Sequence, residues 1–342
     1  MKKAIELVWE RAKANLQNIV LPEGGDPRTI KAAAKITAEK LARVTVIGQP
    51  DTVAALAKKE GVSTAGWEVV DPRTSPLTDE FAYTYVEMRK GKQELIPDEA
   101  REIIGEEMHF GSMMVRKGLC DGFVSGAAHA TADVCRAVFR VIGISADVKT
   151  ASSFILMQLP TDEFGVNGGL IYADPGTVIN PNAVELADIA VATSRVCWAL
   201  LGVRPKIAMI SCSTKGSAKD PIIDKVIQAT ALAKARLAEL KIEADIDGEM
   251  QADAALIPAI CASKAKGSAI EGRANVLVFP DLNAGNTCYK LTERLAHANA
   301  FGPVFMGLKK PASDLSRGCS ADDIVSIAAI VACQAIGQKT KT

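Results

Sequence analysis

Neither sign of charge prevails in this chain of 342 residues: Lys+Arg and Asp+Glu each number 40, and no block of basic residues stands out. Nucleic acid and anionic membrane surfaces are gripped by clustered positive charge, so the sequence points away from both as partners. A secretory leader is also missing, because "MKKAIELVWERAKANLQ" spreads charges where such a leader carries an apolar core. No apolar run approaches the roughly 18 residues of a membrane span. The cysteines (Cys120, Cys135, Cys197, Cys212, Cys261, Cys288, Cys319 and Cys333) stand singly, with neither CxxC spacing nor the density of a disulfide scaffold. Reduced thiols in a cytoplasm are the expectation.

Several catalytic kits are missing too. The three histidines, His109, His129 and His297, lie far apart without HExxH, and no carboxylate or cysteine cluster stands at metal-ligand spacing, so no metal is expected. GxSxG is absent, which removes the simplest α/β-hydrolase. So are the Walker loop and GxGxxG, which sets aside an NTPase and a metal-dependent NAD dehydrogenase of two-domain build. No repeat period or low-complexity linker interrupts the chain.

What is present is a large apolar fraction, 48% of residues, and an alternation of short β-rich runs with longer amphipathic ones. "NIVLPE" reads as a strand and "DPRTIKAAAKITAEKL" as a helix, with Asp26 as cap and Pro27 at its first position. "VTVIG" is a second strand, followed by a helix that ends on Gly61. Further on, "CDGFVSGAAHATADVCRAVF" reads as strand, small-residue turn and a helix opening near Thr131. An "NPN" turn leads into a long apolar helix from Ala183 to Leu201. "PKIAMISCSTKGSA" and "ANVLVFPDLNAGN" each deliver an apolar run to a small polar loop. This pattern predicts two three-layer α/β domains with mostly parallel sheets and ligands at the carboxyl ends of the strands. Length alone favours two domains at about 150 residues each. Topology places the boundaries near Gly143 and Phe301: a discontinuous domain of residues 1–143 plus 301–342, and an inserted one of residues 144–300.

Three loops carry residues that could do chemistry. "SCSTKGSA" can surround an oxyanion with N–H groups, hydroxyls and an ammonium, and is read equally well as a small-residue turn with a solvated lysine. In "GAAHATADVCR", Arg136 lies about one turn into a helix, where it could hold a phosphate or simply pair with a neighbouring carboxylate. "FPDLNAGN" is accounted for by turn chemistry at Pro280, Asp281, Asn283 and Gly285. Near the end, "KPASDLSRGCSADDI" sets Ser316 and Arg317 in a loop ahead of Ser320 and Asp323, which stand in the S-x-x-[DE] relation of a capping box. Asp323 therefore has a structural role available beside any catalytic one. Cys319, without a partner base, reads as a packing residue.

The blocks "IVLPEGGDPRTIKAA", "GLCDGFVSGAAHATADVCRA", "AMISCSTKGSA", "DGEMQADAA" and "GLKKPASDLSRGCSADDI" resemble, in order and along essentially the whole chain, those of the phosphate acetyltransferase family. The resemblance implies transfer of an acetyl group between acetyl phosphate and coenzyme A, in an active-site cleft between the two domains, by a homodimer without metal or cofactor. It implies that Asp323 takes the thiol proton, Ser316 holds the sulfur and Arg317 meets the developing negative charge, in a direct transfer within a ternary complex. Arg136 and Arg89, the latter in "YVEMRKGKQ", are similar to the family's coenzyme A- or phosphate-binding arginines. Thr214 and Lys215 are assigned to the phosphate side by their loop. Two other readings stand beside this one: a phosphate butyryltransferase-type enzyme with a larger acyl pocket, and a non-catalytic acetyl-CoA-sensing module.

Overall fold

The computed structural model describes residues 2–340. Among them run eleven strands: β1 (Asn18–Leu21), β2 (Arg43–Ile47), β3 (Trp67–Val70), β4 (Gly122–Ser125), β5 (Ser152–Gln158), β6 (Gly169–Ala173), β7 (Lys206–Ile210), β8 (Asp245–Met250), β9 (Val276–Val278), β10 (Asn299–Met306) and β11 (Ala312–Asp314). The chain divides into two compact units. One comprises Ile144–Gly307 with the first residues up to Val8; the other comprises Trp9–Gly143 with the chain from Leu308 onward.

One division between the units falls at Gly143. The second falls at Gly307 instead of Phe301, and the first residues go with the inserted unit. Strand pairing explains both shifts. β10 lies antiparallel to β5 up to the pair Met306↔Ser152, which keeps residues 301–306 in that unit. The Ile5 amide reaches Gln158 Oε1 at 3.4 Å, and the Ala4 methyl stands where a side chain on Gly169 would be.

In the unit built on Trp9–Gly143 the strand order is β3-β2-β1-β4-β11, and every pairing is parallel. Consecutive strand residues face opposite sides of a sheet. A Cβ on Gly122 would point at Val331 of helix Ala321–Lys339, while Phe123 packs beside Gly111 of helix Glu107–Arg116. Helices thus cover both faces, and the expected three layers are present. The chain moves outward from β1 to β3 and then returns to the other side of β1 as β4. That reversal opens a crevice at the carboxyl ends of β1 and β4, where ligands bind in such sheets.

The other unit orders its strands β10-β5-β6-β9-β7-β8. β6, β9, β7 and β8 are parallel, whereas β5 and β10 pair antiparallel. Ile155, Met157, Tyr172, Ile210, Met250 and Phe279 form one buried cluster on this sheet. Helix Ala183–Leu201 packs against β6 and β9 and is mostly buried there. Its apolar face is consumed inside the unit.

Helix ends follow local chemistry. Asp26 caps helix Pro27–Ala38 with Pro27 at its start, and Gly61 closes helix Pro50–Glu60 in the left-handed conformation. Asn182 and Glu185 form a capping box. Asp281 is also a cap, which moves Asn283 and Gly285 from a turn into helix Leu282–Leu295. Helix Ala321–Lys339, 19 residues at mean hydropathy 1.3, is long and apolar enough to cross a membrane, contrary to expectation. Ile324 through Ala335 are buried within its unit, however, as in a core helix.

Packing of that helix on β4 depends on the bare Cα of Gly122. An added methyl would collide with Val331 Cγ1 and approach Ile19 Cδ1 to 3.1 Å, and the β-branched Val331 cannot swing away. Gly122→Ala should therefore destabilise the protein by about 1–3 kcal/mol, the usual cost of overpacking. Denaturant unfolding measures it; an unchanged midpoint would show that the helix is not seated against β4 in this way.

Candidate active site

Glu23 follows β1 and is buried at 3% exposure. Its carboxylate fills the turn after β4: Oε2 accepts from the Gly126 and Ala127 amides at 3.1 and 2.9 Å, and Oε1 from the Ala128 and His129 amides at 2.8 and 3.0 Å. Oε1 also lies 2.9 Å from His129 Nδ1. Burial pushes the Glu23 carboxyl up, but the His129 ring and the Ala128 and His129 amides outweigh it and hold the group below its ordinary value. The same bond to Glu23 raises the His129 pKa. Gly126, at φ +114°, permits the turn, and a Cβ there would collide with the Leu315 backbone.

β11 ends alongside at Asp314, buried at 5% exposure. Burial, opposed by Thr131 and aided by the Glu23 charge, pushes its carboxyl up to about 6. The chain then turns sharply: the Gly318 amide donates to Ser316 Oγ at 3.2 Å and the Cys319 amide to the Ser316 carbonyl at 2.9 Å. Ser316 and Arg317 are exposed on this turn. The Arg317 guanidinium has no hydrogen bond or ion pair among the described residues. Ser320 and Asp323 form the capping box, with Asp323 Oδ2 accepting from the Ser320 amide and hydroxyl at 2.8 and 2.9 Å. Asp323 Oδ1 carries no hydrogen bond among the described residues. Cap and base are thus compatible, one oxygen serving each. Burial pushes the Cys319 thiol up to about 11, which suits packing and not attack.

Beyond the carboxyl ends of β1, β2 and β3 lies a cleft of about 1040 Å³, lined among others by Gly48, Arg73, Arg101, Glu107, His129 and Arg136. Burial pushes Glu107 up to about 7. Arg136 lines this cleft but also pairs with Asp133 at 2.7 Å, so both readings of it coexist. Arg89 ends helix Leu77–Arg89, reaches Gln93 at 3.3 Å and is not among the lining residues. Ser316, Arg317 and Asp323 therefore stand on one short segment, Arg136 on the same strand-end edge of the unit, and Arg89 apart from the cleft.

Thr214 and Lys215 belong to the other unit, after β7. Their loop is already supplied with an anion: Glu249 Oε1 accepts from Ser213 Oγ at 3.0 Å and the Gly216 amide at 2.7 Å. Lys215 donates to Asp247 at 2.6 Å, and Thr214 Oγ1 lies 3.3 Å from Gln251 Oε1. The loop's own acids satisfy the groups assigned to phosphate. No cluster of three or more His, Cys, Asp or Glu suited to a metal occurs among the described residues.

Sequence reasoning passed over Glu23, Asp314 and Arg28. Arg28 donates to the Arg317 carbonyl at 2.7 Å, the Cys319 carbonyl at 3.1 Å and the Ala127 carbonyl at 2.6 Å. The one local signal was its position: a cation in a first helical turn opposes the helix dipole.

Comparison with known proteins shows the family. The family described as "Phosphate acetyl/butaryl transferase" matches residues 3–332. A phosphate acetyltransferase of Thermoanaerobacterium thermosaccharolyticum is 46% identical over 331 residues, covering 97% of this chain and 99% of the relative. Among solved structures, the EutD phosphotransacetylase from Staphylococcus aureus is 38% identical, with a TM-score of 0.90 over 97% of this chain and 98% of that one. A phosphotransacetylase from Streptococcus pyogenes is 39% identical, with a TM-score of 0.89 at the same coverages. With its fold and nearly its whole length shared with these proteins, the chain belongs to the phosphate acetyl/butyryl transferase family of acyltransferases.

Proposed function

We propose that this chain is a phosphate acetyltransferase, which moves an acetyl group reversibly between acetyl phosphate and coenzyme A by direct attack in a ternary complex. The observation that carries the mechanism is the turn at Ser316–Arg317, which presents an exposed guanidinium without a counter-ion among the described residues, one short segment ahead of the Asp323 carboxylate, whose Oδ1 carries no hydrogen bond among them.

The chemistry needs these groups. Asp323 removes the thiol proton, the sulfur adds to the acetyl carbonyl carbon, the new C–S bond forms, and the C–O bond to phosphorus breaks with phosphate leaving as the anion. Arg317 offsets the charge on carbonyl oxygen and leaving phosphate, and Ser316 Oγ orients the sulfur. Acetyl phosphate is already activated, so orientation and electrostatics supply the acceleration without a metal, cofactor or acyl-enzyme. Arg136 and, less directly, Arg89 serve coenzyme A or phosphate; Thr214 and Lys215 serve phosphate only if they exchange their present carboxylate and amide partners for it. A homodimer in the cytoplasm belongs to the same proposal, supported by the family resemblance and by eight cysteines that form no disulfide.

Asp323→Asn preserves an oxygen for the Ser320 cap and removes the base, so kcat should fall by roughly 10² to 10⁴ with the melting temperature little changed. A stability loss at wild-type turnover would leave Asp323 a cap alone. Arg317→Lys keeps the charge and loses the planar fork; kcat/KM should drop by roughly 10² to 10³ in a folded protein. Steady-state kinetics with both substrates varied check it, and activity within about threefold of wild type would strike Arg317 from the mechanism.

A further inference from the structure

We infer that Arg28 is a positioning residue of the transfer reaction: its guanidinium clamps the Ser316–Cys319 turn and so fixes where Ser316 and Arg317 meet the substrates. The inference rests on the proposed acetyl transfer for its kinetic consequence and on geometry alone for the clamp.

The guanidinium spends its five donors on fixed acceptors. Nε and Nη2 grip the two oxygens of Asp26 at 3.0 and 2.7 Å, which orients the plane. Nη1 then bridges the carbonyls of Arg317 and Cys319 at 2.7 and 3.1 Å, and Nη2 also takes the Ala127 carbonyl at 2.6 Å. The turn thus has two sets of bonds. Its own amides close it onto Ser316, and Arg28 seizes it from outside at the residues flanking Gly318. Ala127 belongs to the turn filled by Glu23, so one side chain ties the segments after β4 and β11 to the start of helix Pro27–Ala38.

The placement is costly by local rules. A cation in the first turn of a helix meets the positive end of the dipole, and Asp26 must offset it. Breaking a local rule at a strand-end crevice is characteristic of functional positions. No direct contact between Arg28 and the reacting atoms is required: a catalytic group displaced by about 1 Å can lose about 10² in rate. A lysine could keep the Asp26 pair but has no planar fork with which to span three carbonyls.

The test compares Arg28→Lys and Arg28→Ala with wild type, in the full chain. Both variants should lose roughly 10- to 100-fold in kcat while KM for each substrate stays within about threefold. Free guanidinium ion at low millimolar concentration should restore part of the Arg28→Ala rate. Amide hydrogen exchange should quicken at Cys319 and Gly318 and stay unchanged across Ile324–Ala335. A rise in KM for coenzyme A at unchanged kcat would overturn the inference by making Arg28 a substrate contact. Equal exchange in the turn would overturn it as well, as would quickened exchange throughout the unit, which marks general destabilisation. If wild type forms no thioester from acetyl phosphate, the transferase reading fails, and the exchange comparison still decides whether Arg28 holds the turn.

Discussion

Loops that leave the carboxyl ends of parallel strands turn backbone N–H groups inward, and those donors must find an acceptor. In this protein the acceptor is repeatedly a buried carboxylate of the chain itself. Glu23 fills the turn at residues 126–129, Asp174 accepts from the amides of Gly176, Thr177 and Val178, and Glu249 closes the loop through Gly216. These internal anions hold the strand-end loops in shape. They also use up donors that sequence alone would offer to phosphate.

Against that background the Ser316–Arg317 turn is different. Its backbone donors are met by Ser316, its carbonyls by Arg28, and no acid neutralises its guanidinium among the described residues. The positive charge is left for an incoming anion. The same unit holds Asp314 and Glu107 with carboxyls raised to about 6 and about 7 by burial. An acyl phosphate carrying negative charge is suited to such an edge.

Local signals in the sequence were reliable because their partners lie within one turn. Asp26, Asn182 and the Ser320–Asp323 box cap helices as their spacing requires. The alternation of strands and helices likewise followed from period and punctuation. What spacing could not reveal were contacts between distant segments: Glu23 lies 104 positions from Ala127, and Arg28 lies 289 from Arg317. Thr214 and Lys215 were assigned to phosphate because Glu249 and Asp247, more than 30 positions away, are invisible to a motif. The chemistry of Ser316, Arg317 and Asp323 came from ordered resemblance along the chain; spacing alone left Asp323 divided between cap and base.

The central claim is that an acyl phosphate and coenzyme A meet here and exchange the acyl group directly. Incubating the purified chain with coenzyme A and acetyl, propionyl or butyryl phosphate, and following thioester and free phosphate together, tests it most directly. The account predicts one phosphate released per thioester formed, with acetyl phosphate the best substrate. Phosphate release without thioester, a butyryl preference, or no dependence on coenzyme A would contradict it.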